Sequence, residues 1–533
     1  MKKRYLFGCL VIGASLFTGC TKNFDKINTD PNQTSSTLIN PNFLMSQSQI
    51  NFSNPGYDQL LFQSMWVQGL AGTEGYYTNG DKYVVGGSFD SYIGETWDEC
   101  YGAGTLVYEM KNLIKGNAAY SNLDNCGTIL LALYEQRVTD AYGDCPYSQA
   151  YQAKTGIFAP VFDKQQTIYA SMLSQLATAT AALDVSKAGP TSDLFFGGDV
   201  SKWKKLGYSL MLRCAMRLTK VDAATAQKYA EMAYAGGTMA SISDDALAYC
   251  DNTNGNGNSD ATTLKNNTPD WQQVRWSNTL ISFMQSTSDP RIPAVAEISA
   301  GTGLTANGAY VPGINTASLQ IGMPNGYDLN GGATDISHAP NYPGATPADP
   351  TVTGDAPAPL GKYSRPRYAV YVDLNRANFV LTYGESELLL AEAATRGWNT
   401  GVAATHYANA LAADMAELAQ FNTAPAAVVD AGSIATYVAA HPLLPGTALQ
   451  QINMEYFVET CTSFDFNEAW NNWKRSGYPA LVPVVYTGQF TNGSIPRRIQ
   501  YPSSLGSTDP ANLASAVASM GGDTFTTRVY WDK

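Results

Sequence analysis

Apolar residues recur at helical spacing in one block after another: Leu130, Leu133, Tyr134, Val138 and Ala141; Tyr169, Met172, Leu173, Leu176 and Leu183; Trp203, Leu206, Leu210, Cys214 and Leu218. Residues three and four apart share one face of a helix, so each block predicts an amphipathic helix with that face turned to a core. The same period returns at Phe379–Arg396, at Tyr407, Leu411, Met415 and Leu418, and from Leu449 to Phe457; Tyr57–Leu70 and Ile93–Ile114 also read as helices. Short turns containing Gly, Pro or Asp join neighbours, as Thr395–Gly401 does, and predict helical hairpins stacked side by side. The expected fold is mostly α.

Between Ala300 and Pro366 the helical period disappears and Gly, Pro, Thr and Asn dominate. A loop this long tends to be functional or disordered, and the scattered Tyr310, Ile321, Met323 and Tyr327 favour an ordered excursion packed over the helices. A second excursion, Asp251–Asp270, is rich in Asn. Within it Asn252, Asn254, Asn256 and Asp260 fall at ligand positions of a calcium loop, but Thr263 stands where the bidentate Glu belongs. A flexible Asn/Gly loop is the plainer reading, with calcium left open and no other cofactor expected.

The N-terminus carries Lys2, Lys3 and Arg4, an apolar run from Tyr5 to Phe17, and then Thr18-Gly19-Cys20. A basic start, a short apolar stretch and a small residue before the cut describe an export signal, too short to be a permanent span. The Leu16-Phe17-Thr18-Gly19-Cys20 ending resembles that of bacterial lipoproteins and implies lipidation of Cys20, where each buried methylene adds about 0.8 kcal/mol of anchoring. The division expected is a signal peptide at 1–19, a lipidated tether at 20–40 and a single helical domain at 41–533.

A formal charge of −12 with only 33 Lys and Arg argues against nucleic acid, which requires a basic face. Charged residues are 15% of the chain against 32 tyrosines, a surface that hydrogen-bonds and stacks more than it ion-pairs. Beyond Cys9 and Cys20, the widely spaced Cys100, Cys126, Cys145, Cys214, Cys250 and Cys461 form no C-x-x-C motif and read as buried thiols. No H-E-x-x-H, G-x-S-x-G or P-loop pattern occurs, and His338, His406 and His441 are far apart. Glu385 with Glu387, and Glu455 with Glu459, could suggest a glycosidase pair, but they lie within amphipathic helices. An enzyme is not expected.

Aromatic residues are the stronger lead. Tyr76, Tyr77, Tyr83 and Trp97 crowd one early stretch, and Trp271 and Trp276 flank Arg275 beside the Asn-rich loop. Flat rings with nearby amides suit sugars, because a pyranose offers a C–H face to a ring and a rim of hydroxyls to polar side chains. Trp97, with Trp66 and Tyr101, sits in a helical pattern and reads equally as core.

Several blocks together resemble the SusD/RagB-type nutrient-binding outer-membrane lipoproteins of Bacteroidetes. They are Asn28-Thr29-Asp30-Pro31-Asn32, Tyr142-Gly143-Asp144-Cys145-Pro146, Gly197–Lys205 running on through Ser209–Leu218, Asp289-Pro290-Arg291, Tyr383-Gly384-Glu385, Glu468–Pro479 and Ile495–Arg498. The resemblance implies a SusD-like helical fold with degenerate tetratricopeptide helix pairs and long irregular loops. It also implies a partner, a SusC/RagA-type TonB-dependent transporter that the protein would cover as a lid, and a lipid anchor facing the cell surface. The ligand class read from the aromatics is an oligosaccharide; capture of peptides by the same architecture, or a lipid-anchored hydrolase, are the alternatives.

Overall fold

The computed structural model describes residues 39–54, 56–73, 75–86, 89–265, 273–298, 312–344, 362–421 and 425–533. The signal segment, Cys20, Trp271 and Tyr310 lie outside them. The principal helices are α1 (Pro41–Ser53), α2 (Glu95–Ile114), α3 (Ser121–Tyr142), α4 (Gln165–Ala182), α5 (Val200–Arg217), α6 (Ala223–Gly236), α7 (Asn278–Ser286), α8 (Tyr383–Thr395), α9 (Ala403–Glu417), α10 (Ala431–Ala440), α11 (Ala448–Thr462), α12 (Phe466–Ser476) and α13 (Pro510–Met520). Strands are short: β1 (Leu70–Gly72) pairs antiparallel with β3 (Val274–Trp276), and β2 (Ala246–Tyr249) with β4 (Ala377–Leu381).

Local chemistry sets the helix ends. Asp199 caps α5 by accepting from the Ser201 N–H at 2.8 Å, and Asp465 caps α12 by accepting from the Glu468 N–H at 3.1 Å. Such caps contribute about 1 kcal/mol each. Helix α12 stops at Gly477, whose φ of 84° suits a residue without a Cβ. Neighbouring helices then pack in succession, α3 on α4, α4 on α5, α5 on α6, and α8 on both α9 and α11. These are the hairpins that the apolar period predicts.

Buried ion pairs lock the stack. From α5, Arg217 reaches Asp140 of α3 at 3.1 Å and Glu468 of α12 at 2.6 Å, while Arg213 grips Glu385 of α8. All five side chains are buried, so removing one partner would strand a charge at a cost of roughly 3–5 kcal/mol. One apolar cluster runs from Met45 to Trp531, and the six cysteines among the described residues are buried.

Two stretches depart from the expected helices. Phe379–Leu381 belongs to β4, because an apolar run buried on every side looks alike in a helix and a strand. Tyr57–Leu70 breaks into one-turn helices at Asp58–Leu61 and Gln63–Trp66, and Gln68, at a φ of 55°, turns the chain into β1. The 312–344 part of the long excursion is ordered: Met323, Ile336 and Ala339 form a small apolar cluster with Ala71 and Tyr363. No helix among the described residues is long and apolar enough to cross a membrane.

Candidate binding cleft

Four segments distant in sequence meet beside the β1–β3 pair. The ladder aligns Leu70 with Trp276 and Gly72 with Val274, which carries Gln68 up to Ser277 and the start of α7. The Ser277 N–H donates to the Gly69 carbonyl at 2.9 Å, and its hydroxyl caps α7 by accepting from the Leu280 N–H. The long excursion joins here: Met323 donates to the Trp276 carbonyl and accepts from the Asn278 N–H, at 2.9 and 2.8 Å. A Cβ on Gly322 would lie 2.3 Å from the Ser277 oxygen, so this close approach requires glycine.

Below the junction Asp81 fixes the excursion. It accepts from Asn325 Nδ2 at 2.7 Å, from the Gly326 N–H at 2.9 Å and from Lys82 Nζ at 3.1 Å, and both it and Lys82 are buried. Asp328 ties in the fourth segment by accepting from the Tyr486 hydroxyl at 2.6 Å and from Thr334 Oγ1 at 2.9 Å. Burial opposes ionisation of Asp328, but hydrogen bonds from Tyr486, the Asn330 N–H and Thr334 outweigh it and hold the carboxyl below its ordinary range. Gln68 closes the circle, donating to the Val482 carbonyl at 2.6 Å and accepting from Thr279 Oγ1 at 3.0 Å.

These segments enclose a cleft of about 480 Å³, within the roughly 300–1,000 Å³ usual for ligand sites. Its walls are Gln68, Asn278 and Thr279 on one side, Pro324–Tyr327 and Thr334 on another, and Ala480 with Val482–Val485 on the third. Among the described residues no acidic or basic side chain lines it, in a chain of charge −12. Val482 and Val485 remain 75% and 84% exposed and Tyr327 half-buried, so the cleft presents apolar faces to solvent. Asn278 Oδ1 accepts from Ser282, but among the described residues neither its Nδ2 nor the Tyr327 hydroxyl has a partner. A ligand entering here meets apolar walls, a free amide and a free hydroxyl, and among the described residues no carboxylate pair for acid–base chemistry.

Two other clefts are comparable in size but carry charge. One of about 550 Å³ includes Lys111, Lys115 and Asp124, and one of about 460 Å³ includes Arg367 and Asp430.

The structure does not gather the sequence-predicted residues into one open face. Tyr77, Tyr83, Trp97, Arg275 and Trp276 are buried. Trp276 stacks edge-on against Tyr371 and Phe464 and donates its indole N–H to the Val295 carbonyl at 3.0 Å, while Trp97 packs among Tyr101, Tyr142, Phe162 and Tyr501. Strand β3 is buried on both faces, Arg275 as much as Trp276, and Trp97 lies on the buried side of α2, so polar neighbours in sequence do not mark an exposed ring here. Tyr76 is half-buried, packed against Tyr57, Tyr77 and Tyr92. Of the calcium-loop residues, Asn252, Asn254 and Asn256 lie in a turn closed by Asp251, whereas Asp260 is buried and paired with Arg376 at 3.0 Å, so the set is divided between a surface turn and a core ion pair.

Residues missed by the sequence reading are Gln68, Asn278, Thr279, Asn325 and Val482. Tyr327 was legible as an aromatic in an ordered excursion, but nothing local marks the others.

Residues 31–502 match the SusD-like model, described as starch-binding and associating with the outer membrane. No curated protein matches the chain. Among solved structures, a chitin-binding protein shares 29% identity over 92% of this chain and 100% of its own, with a TM-score of 0.77. A Bacteroidetes SusD-like protein labelled AC2a aligns at 20% identity and TM-score 0.78, over 93% of this chain and 100% of its own. A chitin-binding SusD homolog from Flavobacterium johnsoniae aligns at 23% and 0.71, over 92% and 98%.

Proposed function

This chain belongs to the SusD-like family, described as starch-binding and associating with the outer membrane, and from that premise we propose that it captures a neutral oligosaccharide in the cleft between Gln68, Asn278, Tyr327 and Val482. The observation that carries this reading is the chemistry of the walls: no charged side chain, exposed apolar faces, and an amide and a hydroxyl free to bind. A sugar needs both elements within one cleft. The chitin-binding relative at 29% identity makes β-linked N-acetylglucosamine oligomers the first ligands to test.

The capture is non-catalytic. Glycoside hydrolysis uses two carboxyl groups about 5–9.5 Å apart across the bond, and among the described residues none lines the cleft. By family, the protein hands its ligand to a TonB-dependent transporter. Residues 41–533 act as the receptor body, held at the outer membrane by lipid on Cys20 through the tether at 20–40 after loss of 1–19.

Calorimetry on residues 21–533 with chitin, starch and peptide ligands, with reducing ends monitored, tests the reading. Binding of an uncharged glycan without release of sugar is expected. Binding of peptides alone, or release of sugar, would overturn it.

A further inference from the structure

Two helices and a turn bring carboxylates together in the interior, away from the cleft. Asp414 and Glu417 of α9 and Glu459 of α11 are buried and offer oxygens within 4.8 Å of one another. They gather at the N-terminus of α8. Its Gly384 N–H donates to Glu417 Oε1 at 2.9 Å, and its cap Thr382 donates to Glu459 Oε1. The next N–H back, that of Tyr383, donates at 2.7 Å to Asp245, a fourth buried carboxylate, from the turn before β2. Gly384 makes room for the group, since a Cβ there would fall 1.8 Å from Asp414 Oδ1.

The arrangement leaves oxygens unanswered. Among the described residues neither oxygen of Asp414 has a hydrogen-bond donor, nor has Glu459 Oε2, nor Asp245 Oδ2. Gln420, which neighbours Asp245 and donates its Nε2 to the Ile242 carbonyl at 2.7 Å, also holds a buried amide oxygen without a donor. The arginines nearby are paired elsewhere, Arg291 to Asp289 and Glu455, with only its Nη1 left without a partner, and Arg213 to Glu385 and Glu468. A helix N-terminus supplies only about half a positive charge. Burial, reinforced by the neighbouring carboxylates, pushes Asp414, Glu417 and Glu459 well above the ordinary carboxyl range. The same burial raises Asp245, against the hydrogen bond from the Tyr383 N–H.

We propose that Asp245, Asp414, Glu417 and Glu459 form a buried binding site for an oxygen-coordinated divalent cation of the calcium class. The donors are all oxygen, the preference of hard cations, and their irregular disposition suits calcium, which tolerates six to eight ligands, better than octahedral magnesium. The ion would cross-link α9, α11 and the turn before β2, so its binding would be read as stability.

The test uses purified residues 21–533, equilibrated with calcium, desalted without chelator and assayed for bound metal by mass spectrometry. One calcium per chain is expected, with a melting temperature that falls on EDTA treatment and recovers when calcium is restored. Asp414→Asn and Glu459→Gln should each weaken calcium binding at least tenfold, whereas Asn254→Ala with Asn256→Ala should leave it unchanged. Because metal displaces protons from such a site, loading near pH 7 should release protons measurably. A wild-type chain that retains no calcium and shows no calcium-dependent melting shift overturns the proposal. So does calcium that follows the Asn254 and Asn256 variants, or an Asp414→Asn protein that is more stable than wild type and indifferent to calcium, the mark of a cluster holding protons instead.

Discussion

Replacing Asp81 by Ala should loosen the cleft from beneath. The carboxylate holds Asn325 and Gly326 of the excursion, the Gly72 N–H of β1 at 3.2 Å, and Lys82, itself buried and also donating to the Gly72 carbonyl at 2.8 Å. Its removal leaves the Lys82 ammonium without its hydrogen-bonded carboxylate, and breaking a buried pair in this way costs roughly 3–5 kcal/mol. Unfolding entropy of about 2.1 cal/mol/K per residue makes a chain of this length lose about 1 °C of melting temperature per kcal/mol, so a fall of about 3–5 °C is expected. Differential scanning calorimetry at pH 7 measures it, and hydrogen exchange at the Gly326 amide reports whether the excursion has come loose. The double variant Asp81→Asn with Lys82→Met removes both charges and should recover more than half of the lost stability. A melting point within 1 °C of wild type, with Gly326 exchange unchanged, would refute the claim that this pair anchors the cleft.

Tyr327→Ala should weaken glycan binding about tenfold, or about 1.4 kcal/mol, without moving the melting temperature, as calorimetry would show. Tyr77→Ala should do the reverse, lowering stability by about 3–5 kcal/mol as a core truncation while the folded fraction binds normally. Burial opposes ionisation of Glu392, but Arg475 and Arg396 outweigh it and hold the carboxyl at about 2 against an ordinary 4.5. That depressed value gives stability on the order of 3 kcal/mol, present above about pH 4.5 and lost as pH falls through about 2; acid titration of Glu392→Gln should lack this loss. Burial pushes Glu135 the other way, up to about 8, against a hydrogen bond from Tyr151. Its contribution is therefore complete below about pH 4.5 and fades as pH rises through about 8, so melting curves of Glu135→Gln should decline less on the alkaline side.

The helical frame was legible because its apolar positions repeat within single elements. Leu206, Leu210, Cys214 and Leu218 mark one face of α5 whatever packs on it, and Arg213 and Arg217, in the most specific family block, are the residues that bind it to α3, α8 and α12. Strand β4 was misread because Phe379, Val380 and Leu381 are apolar in succession, and only its pairing with β2 separates strand from helix. The aromatic site was misread for a related reason. Trp276 is surrounded in sequence by polar residues, but its pairing with Leu70, more than two hundred residues earlier, turns the ring inward. The cleft draws on residues near 68, 278, 327 and 482, from turns and loops without periodicity, and tertiary contacts alone bring them together.

The most direct test of the central claim is hydrogen exchange on the intact protein with and without the uncharged glycan that binds it best. Protection confined to the peptides around Gln68, Asn278, Pro324–Tyr327 and Ala480–Val485 is the predicted result. Protection instead around Tyr108–Asp124, or around Pro290–Ala294 and Pro425–Ser433, with the neutral cleft unchanged, would contradict it.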